Sequence, residues 1–326
     1  MSSRRLFFNE AIARALAEEM EREDKLVVLG QDVGAYGGAY KEFAGLYERF
    51  GAQRVRDTPV AEAATIGIAL GAAAAGLRTL VSITYMDFLI LGLEPLVNYA
   101  AKARYKTGGA VRVPAVVKTT AGAKGQGVAH AQCIESWLMG VPGLKVVAPS
   151  NPADAYGLLK TSLREEGPVV FVDHKRLFST AGEVPETNEV SMPLGKAAIV
   201  RPGTDVTLAA HSYAVRIAVE AAERLEPAGV SCEVIDLRTL APLDVESIGE
   251  SVARTRALVT LEEGQPACGV GSEVAFRVRE RLDVGIRVAR VAARPAPVSS
   301  NAVLEAEVLP DAARVVETTL TLLEGR

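Results

Sequence analysis

The sequence contains few cysteines and histidines, with three of each among its 326 residues. The three cysteines lie far apart and are odd in number, so we expect no disulfide framework and a reducing, cytoplasmic environment. The histidines do not combine with the cysteines in any spacing typical of metal ligands. We therefore expect no metal site built by this chain alone.

The sequence also lacks basic runs and long apolar stretches. Its formal net charge of −4 gives no electrostatic reason to expect nucleic acid or an anionic membrane as a partner. The longest run of small apolar residues, Ala63–Gly76, is shorter than the ~18 residues that a membrane-spanning helix needs. The first residues lack the apolar core of a signal peptide. We expect neither nucleic-acid binding nor a membrane segment.

Hydrophobic residues make up 49% of the chain and charged residues 23%, a balance typical of globular proteins with sizeable cores. The length predicts two domains of about 150 residues each. Between Ser179 and Pro193 the periodic pattern gives way to Gly, Pro, Glu and Asn, which indicates a linker. We expect domains at residues 1–180 and 194–326, joined by a linker at 181–193.

Both predicted domains alternate amphipathic helices with short, fully apolar strands. The clearest segments are the helices 9–22, 63–76, 93–105, 152–164, 214–225, 245–254, 270–282 and 312–323 and the strands 26–30, 79–83, 113–118, 144–148, 169–173, 206–210, 230–235, 257–262 and 286–291. Strands that are apolar throughout are buried on both faces, as in parallel sheets covered by helices. The pattern predicts an α/β protein with two doubly wound domains and mostly parallel sheets.

Glu62 follows a Pro-fixed turn and begins an Ala- and Gly-rich helix. One interpretation is structural, because an acid in the first turn complements the helix dipole. The other is functional, because a partly buried carboxylate there can exchange a proton with a ligand. The local pattern leaves both interpretations open.

His130 ends a glycine-rich segment that begins at Gly122 and includes Gly125 and Gly127. Such a loop can bring backbone amides close to a ligand, but it lacks the Lys-Ser/Thr ending of a phosphate-binding P-loop. A histidine here is either satisfied by local hydrogen bonds or serves as an acid–base group. From the residues alone, Glu62 and His130 are candidate acid–base groups of an enzyme.

Several segments, taken together and in order, resemble the beta subunits of the decarboxylating component of 2-oxoacid dehydrogenase complexes. The matching stretches are residues 30–34, 54–62, 76–78, 98–102 with Tyr105 and Gly108-Gly109, 128–132, 142–150 and 154–159 in the first half and 230–238, 262–264 and 269–273 in the second. The resemblance covers nearly the whole chain. An ordered series of this kind is far more specific than any single motif in it.

This resemblance implies a transketolase-like fold, with a pyrimidine-binding domain followed by a transketolase C-terminal domain. It also implies thiamin diphosphate as cofactor, bound between this chain and an alpha subunit in an assembly of two alpha and two beta chains. The alpha subunit would hold Mg²⁺ and the diphosphate, since no Gly-Asp-Gly followed by the required Asn occurs here. Further implied partners are a lipoyl acyltransferase core and a small 2-oxoacid or acetoin.

The resemblance also assigns roles to four residues. Glu62 matches the glutamate that hydrogen-bonds the aminopyrimidine ring of the cofactor. Phe88 falls where an aromatic residue packs on that ring, and Tyr85 is expected to line the same wall. His130 matches a histidine implicated in acyl transfer to the lipoyl group, a task suited to a pKa near neutrality.

The sequence departs from the family pattern at a few positions. Ala131 replaces a usual serine, Ser82 a common glutamate and Arg294 a common aspartate, while Glu94-Pro95 replaces an Asp-Gln pair. Ser82 and Glu94-Pro95 flank the presumed cofactor site and subunit interface. These changes therefore affect what the resemblance implies about the substrate and about the pairing of subunits. The stretch 173–178 followed by 182–185 looks closer to acetoin-cleaving relatives than to branched-chain ones.

Two alternatives stand beside the dehydrogenase interpretation: a split transketolase-type carboligase subunit and a non-catalytic assembly paralogue. The presence of both Glu62 and His130 argues against the paralogue. The resemblance also implies that the second domain packs beta against beta. For docking on the acyltransferase core, we expect a surface formed by acidic residues near the C-terminus, namely Glu305, Glu307, Asp311 and Glu317.

Overall fold

The computed structural model describes residues 2–187, 192–282 and 284–325. The chain divides into two compact units, which we call the first unit (residues 1–121 and 137–194) and the second unit (residues 122–136 and 195–326). The glycine-rich segment that carries His130 thus belongs to the second unit, although it lies within the first half of the sequence. Residues 188–191 of the expected linker lie outside the described residues.

The first unit is built on a parallel sheet. Its strands are β2 (Leu26–Gly30), β3 (Val55–Asp57), β4 (Arg78–Ile83), β5 (Ala115–Ala121), β6 (Lys145–Val147) and β7 (Val169–His174). They lie in the order β6-β7-β5-β4-β2-β3, and every neighbouring pair is parallel. All residues of β5 and β7 are buried, as expected for strands covered on both faces.

Helices alternate along the chain with these strands. They are α1 (Phe8–Arg22), α2 (Leu46–Phe50), α3 (Glu62–Ala74), α4 (Met86–Leu89), α5 (Ala101–Lys106), α6 (Glu135–Met139, which begins in the 122–136 segment) and α7 (Pro152–Arg164). The helix expected at residues 93–105 begins with a π-helical stretch, Glu94–Ala100, which continues into α5. Pro95 lies at its start, where a proline's missing N–H costs no helical hydrogen bond.

Part of the expected linker forms a strand. Strand β8 (Ala181–Pro185) pairs antiparallel with β1 (Ser3–Phe7), from Phe7 opposite Ala181 to Ser3 opposite Pro185. Composition indicated an irregular segment because Gly182 and Pro185 are poor strand formers. Pairing with a segment some 180 positions earlier in the sequence supplies the hydrogen bonds that local propensity does not predict.

The second unit contains a separate five-stranded sheet. The strands of this unit are β9 (Ala198–Arg201), β10 (Val206–Ala210), β11 (Cys232–Asp236), β12 (Thr239–Ala241), β13 (Ala257–Leu261) and β14 (Arg287–Val291). The sheet has the order β14-β13-β10-β11-β9. Only the pairing of β9 with β11 is antiparallel, so the expectation of mostly parallel sheets is confirmed.

In the described part of the second unit, the α-helices are α8 (Ala214–Leu225), α9 (Val245–Thr255), α10 (Val270–Arg281), α11 (Ala302–Val308) and α12 (Ala312–Glu324). The buried faces of α8 and α12 share one apolar core with β10, β11 and β13, to which α12 contributes Ala312 and Val315. The predicted helices and strands of both units are present to within a few residues. Among the described residues, no helix is both long and apolar enough to cross a bilayer.

Candidate functional site

Glu62 is the first residue of α3 and is half-buried. The turn before it is fixed by a hydrogen bond of 2.9 Å from the Thr58 N–H to the Gly30 carbonyl, which ties it to the carboxyl end of β2. Ala61, at the N-cap, offers no side-chain oxygen to the free N–H groups of the helix. The carboxylate of Glu62 therefore lies at a helix N-terminus, where negative charge is favoured, and remains accessible to a ligand.

An aromatic pair lies at the neighbouring strand end. Tyr85 precedes α4 and Phe88 lies within it, with their ring centroids 6.4 Å apart and their planes at 65°. The N–H of Phe88 donates to the Tyr85 carbonyl at 3.1 Å, which fixes the spacing of the two residues. Helix α4 packs against α3, the helix that Glu62 begins. Carboxyl ends of parallel strands are the usual ligand edge of such sheets.

The sequence analysis did not single out Tyr40, which lies near Tyr85. Tyr40, from the loop after β2, stacks on Phe178 with ring centroids 4.3 Å apart. Burial, together with Tyr85 and the acidic Asp173 and Glu42, raises the pKa of Tyr40. Its hydroxyl therefore keeps its proton. A lone tyrosine in a loop carries no sequence signal, because only the fold brings it to the strand edge.

A buried charged cluster lies beside these tyrosines and was likewise not predicted. The Lys118 ammonium lies 2.6 Å from Asp173 and 3.2 Å from Glu42, and all three side chains are buried. The two carboxylates outweigh the effect of burial and raise the pKa of Lys118, while burial raises that of Asp173. Ser82 is the neighbour of Lys118 across the β4–β5 pair. Lys118 thus pairs with Glu42 and Asp173, and its cross-strand neighbour Ser82 offers only a small hydroxyl.

His130 is half-buried in the second unit, at the end of a loop that needs glycine. Gly127 has φ +78°, and a Cβ added there would lie 3.2 Å from that of Ser300. The N–H of Gly125 donates to Oε2 of Glu305 at 2.7 Å, and the His130 N–H donates to the Gly127 carbonyl at 3.2 Å. The loop is therefore fastened to the segment that carries α11.

An apolar cluster and a cavity flank this loop. Ala123, Ala131 and Leu309 are buried together, with Val298 packed against them. A serine at the Ala131 position would place a hydroxyl among these apolar side chains, which fits alanine there. A cavity of about 570 Å³ adjoins the loop. Its lining includes Ala131, Gln132, Cys133, Glu263, Pro295 and Val298.

The buried Glu135 follows the same loop. Burial, together with nearby Glu262 and Glu263, raises the pKa of Glu135 to about 8. Glu262 accepts the N–H groups of Val270 and Gly271, at 2.9 and 2.8 Å, at the start of α10, although burial still raises its pKa. Glu135 was not predicted, because a glutamate after an apolar loop has no distinctive spacing.

The four residues singled out from the sequence fall into the two units. Glu62, Tyr85 and Phe88 belong to the first unit and His130 to the second. His174 is the last residue of β7 and is buried. Its Nδ1 accepts the Arg176 N–H at 3.1 Å, so this histidine stabilises the turn after the strand. Across residues 2–187, 192–282 and 284–325, no three His, Cys, Asp or Glu side chains are grouped as metal ligands.

The comparisons with known families place both units in the transketolase-like class of proteins. Residues 6–180 match the family described as "Transketolase, pyrimidine binding domain", and residues 195–315 match "Transketolase, C-terminal domain". A solved structure described as "Split gene transketolase, inactive beta4 tetramer" is similar, with a TM-score of 0.81 and 25% identity over 97% of this chain and 98% of that one.

Sequence identity to individual relatives identifies the family within this class. The pyruvate dehydrogenase E1 component subunit beta of Drosophila melanogaster mitochondria is 39% identical over 100% of this chain and 91% of its own length. The 2-oxoisovalerate dehydrogenase subunit beta of Bacillus subtilis is 41% identical over 88% of this chain and 89% of its own length. The chain belongs to the family of E1 beta subunits of 2-oxoacid dehydrogenases, a thiamin-diphosphate-using family of oxidoreductases.

Proposed function

We propose that this chain supplies the pyrimidine-binding half of a thiamin diphosphate site in a 2-oxoacid dehydrogenase and that an alpha subunit completes the site. The observation that carries the proposal is the placement of Glu62 at the start of α3, next to the helix that bears Phe88. This placement occurs in the domain matched to pyrimidine binding. The cofactor would supply the electron sink for decarboxylation of the 2-oxoacid.

The residues present fit the pyrimidine ring of this cofactor. A half-buried carboxylate at a helix N-terminus can hydrogen-bond a ring nitrogen and share its proton, which is the role proposed for Glu62. Tyr85 and Phe88, also half-buried, offer an aromatic surface suited to a flat heteroaromatic ring. Glu62 thus orients the ring and holds a proton at its nitrogen, and the aromatic pair keeps water away from one side.

His130 is proposed to serve the later acyl transfer to a lipoyl group. The histidine is half-buried and lies on a loop fastened at Gly125, so its imidazole has a defined position without being sealed from substrate. An imidazole can both accept and donate a proton, which suits proton transfer to and from a thiol. The neighbouring cavity of about 570 Å³ has room for a small organic group.

The remaining partners follow from the same proposal. The alpha subunit would hold Mg²⁺ and the diphosphate, two alpha and two beta chains would assemble with beta packed on beta, and a lipoyl acyltransferase core would receive the acyl group. The substrate is a small 2-oxoacid, with acetoin as the alternative that the 173–185 stretch indicated. We propose a cytoplasmic location, which is consistent with the sparse cysteines.

The test is to purify the chain alone and together with an alpha subunit whose sequence carries the Gly-Asp-Gly…Asn motif. We expect the beta chain alone to bind thiamin diphosphate weakly and to have no turnover. The pair should reduce an artificial electron acceptor with pyruvate, a branched-chain 2-oxoacid or acetoin. Turnover by the beta chain alone would contradict the two-subunit proposal, and activity of the pair restricted to ketose phosphates would favour the split transketolase.

A further inference from the structure

Lys175 is a fully buried lysine at the carboxyl edge of the first unit's sheet. It directly follows His174, the last residue of β7. Its ammonium lies 5.1 Å from the centroid of the Tyr85 ring, which precedes α4. A cation over an aromatic face is attracted by the charge distribution of the ring, and the attraction is strongest where water is excluded. Lys175 and Tyr85 therefore form a desolvated cation–π contact.

The backbone of Lys175 is held by the sheet. Its N–H donates to the Ala121 carbonyl at 3.3 Å, which continues the pairing of β5 with β7 one residue past His174. On the other side, the Leu177 N–H donates to the His174 carbonyl at 2.9 Å and closes a turn. The lysine side chain therefore extends from a fixed point.

The strand order explains why a long side chain is needed here. Strand β5 lies between β7 and β4, so the ends of β7 and β4 are about 10 Å apart at the usual spacing of strands. Tyr85 comes two residues after Ile83, where β4 ends. The four-carbon stem of lysine crosses much of this distance and brings the ammonium to the ring.

The ring that Lys175 contacts is one member of the aromatic pair at the proposed pyrimidine site. Tyr85 and Phe88 are both half-buried, and their ring centroids lie 6.4 Å apart. Because Lys175 is fully buried, it covers the protected side of the Tyr85 ring. The accessible part of the ring stays available to a ligand.

From this geometry we propose that Lys175 is a positioning residue that acts through Tyr85 on the cofactor's pyrimidine ring. Its ammonium holds the Tyr85 ring in the orientation that forms the aromatic wall beside Phe88. The inference rests on the proposed function, because it takes this wall to be the pyrimidine site. It gives a physical role to a residue of the stretch 173–178, which the sequence had related only to the choice of substrate.

The experiment uses the assembled alpha–beta complex with Lys175→Met, Lys175→Gln, Tyr85→Leu and the double variant Lys175→Met with Tyr85→Leu. Lys175→Met and Lys175→Gln both remove the charge, one with an apolar and one with a polar replacement. The control is Lys41→Met, which removes an exposed ammonium 3.4 Å from the ring centroid of the exposed Tyr36.

Two ligands separate the pyrimidine site from the rest of the cofactor site. The dissociation constant of thiamin diphosphate is measured by calorimetry in the presence of Mg²⁺. Inorganic pyrophosphate, which resembles the diphosphate end and has no pyrimidine ring, is then titrated as a competitor. A role in positioning the aromatic wall changes the first constant and leaves the second unchanged.

We expect Lys175→Met and Lys175→Gln to weaken thiamin diphosphate binding by roughly 2- to 30-fold, the range corresponding to one cation–π contact. Pyrophosphate should bind as it does to the wild type. The double variant should bind no more weakly than Tyr85→Leu, because Lys175 acts only through that ring. Lys41→Met should match the wild type for both ligands.

Four results would overturn the inference alone, given normal cofactor binding by the wild-type complex. The first is unchanged affinity for thiamin diphosphate in both Lys175 variants, and the second is a double variant that binds more weakly than Tyr85→Leu. The third is an equal loss of affinity for pyrophosphate, and the fourth is failure of both Lys175 variants to assemble. The last two would make Lys175 a structural residue only. A wild-type complex that does not bind thiamin diphosphate would instead overturn the proposed function, and this inference with it.

Discussion

Glu305 accepts a hydrogen bond of 2.7 Å from the backbone N–H of Gly125, so an acid near the C-terminus holds the loop that carries His130. Glu305 is buried, unlike Glu307, Asp311 and Glu317, which are exposed. Glu305 therefore cannot belong to the acidic docking surface expected from the sequence. The docking hypothesis is left with the three exposed acids.

The first prediction concerns this contact. Glu305→Ala should loosen the loop, because Gly125 loses its acceptor, and should speed tryptic cleavage after the exposed Lys124. Acyl transfer should fall with it, since His130 lies on the same loop. The control is Glu307→Ala, which removes an exposed acid two residues away. Equal cleavage rates in the two variants would show that Glu305 does not restrain the loop.

The second prediction concerns Glu62. Glu62→Gln keeps the shape of the side chain but removes its exchangeable proton, so turnover of the reconstituted complex should fall by roughly 10²–10⁴-fold. Folding and subunit association should be retained, because Glu62 is half-buried at a helix end. Glu48→Gln changes an exposed acid in the first turn of α2 and serves as the control. Near-normal turnover of the Glu62→Gln variant would contradict the proton-transfer role. Glu62 would then serve only as a favourable charge at the N-terminus of α3.

The third prediction separates two half-reactions. If His130 serves acyl transfer, His130→Ala should lower lipoyl-dependent overall activity more than reduction of an artificial acceptor, because only the overall reaction needs proton transfer with the lipoyl thiol. Both activities are measured on the same preparation. A parallel fall in both would assign His130 to substrate orientation, and full activity in both would make it structural.

The fourth prediction concerns the pH dependence of stability. The pKa of Glu135 is about 8 in the folded chain against an ordinary value of 4.5, so the folded state binds the extra proton between these values. The contribution of Glu135 to stability should therefore fall as pH rises from 4.5 towards 8 and then level off. Glu135→Gln carries no titrating group, so its stability relative to the wild type should improve with rising pH.

Denaturant unfolding of the Glu135→Gln variant and the wild type at pH values of about 5, 7 and 9 measures this difference. Glu280→Gln, which changes an exposed acid on α10, is the control and should follow the wild type at every pH. Parallel curves for Glu135→Gln and the wild type would contradict the burial of Glu135 beside Glu262 and Glu263.

The fifth prediction concerns docking on an acyltransferase core. Truncation after Leu309 is not a clean test, because α12 contributes Ala312 and Val315 to the core of the second unit. Glu307→Lys and Glu317→Lys reverse exposed charges and spare that core. If the acids dock a basic partner, the charge reversals should weaken association and flatten its salt dependence, since the screening length is about 8 Å at physiological ionic strength. Unchanged affinity and salt dependence would leave these acids as a solvated face.

The sequence by itself determined the helices and strands, the α/β class and the family. Apolar strands such as Val169–His174 and capped helices such as Pro152–Arg164 are specified locally, because periodicity and capping depend on neighbours in the chain. The ordered series of motifs also predicted the family that the comparisons confirmed. The roles of Glu62 and His130 remain predictions of that resemblance.

Tertiary structure decided what local patterns cannot encode. Strand β8 forms because the segment Ser3–Phe7 pairs with it. Residues 122–136 group with the second unit, where Gly125 meets Glu305. Tyr40 stacks on Phe178 only because the loop after β2 and the segment after β7 meet in the folded first unit. Each of these relationships joins residues far apart in the sequence, and only the packed chain brings such residues into contact.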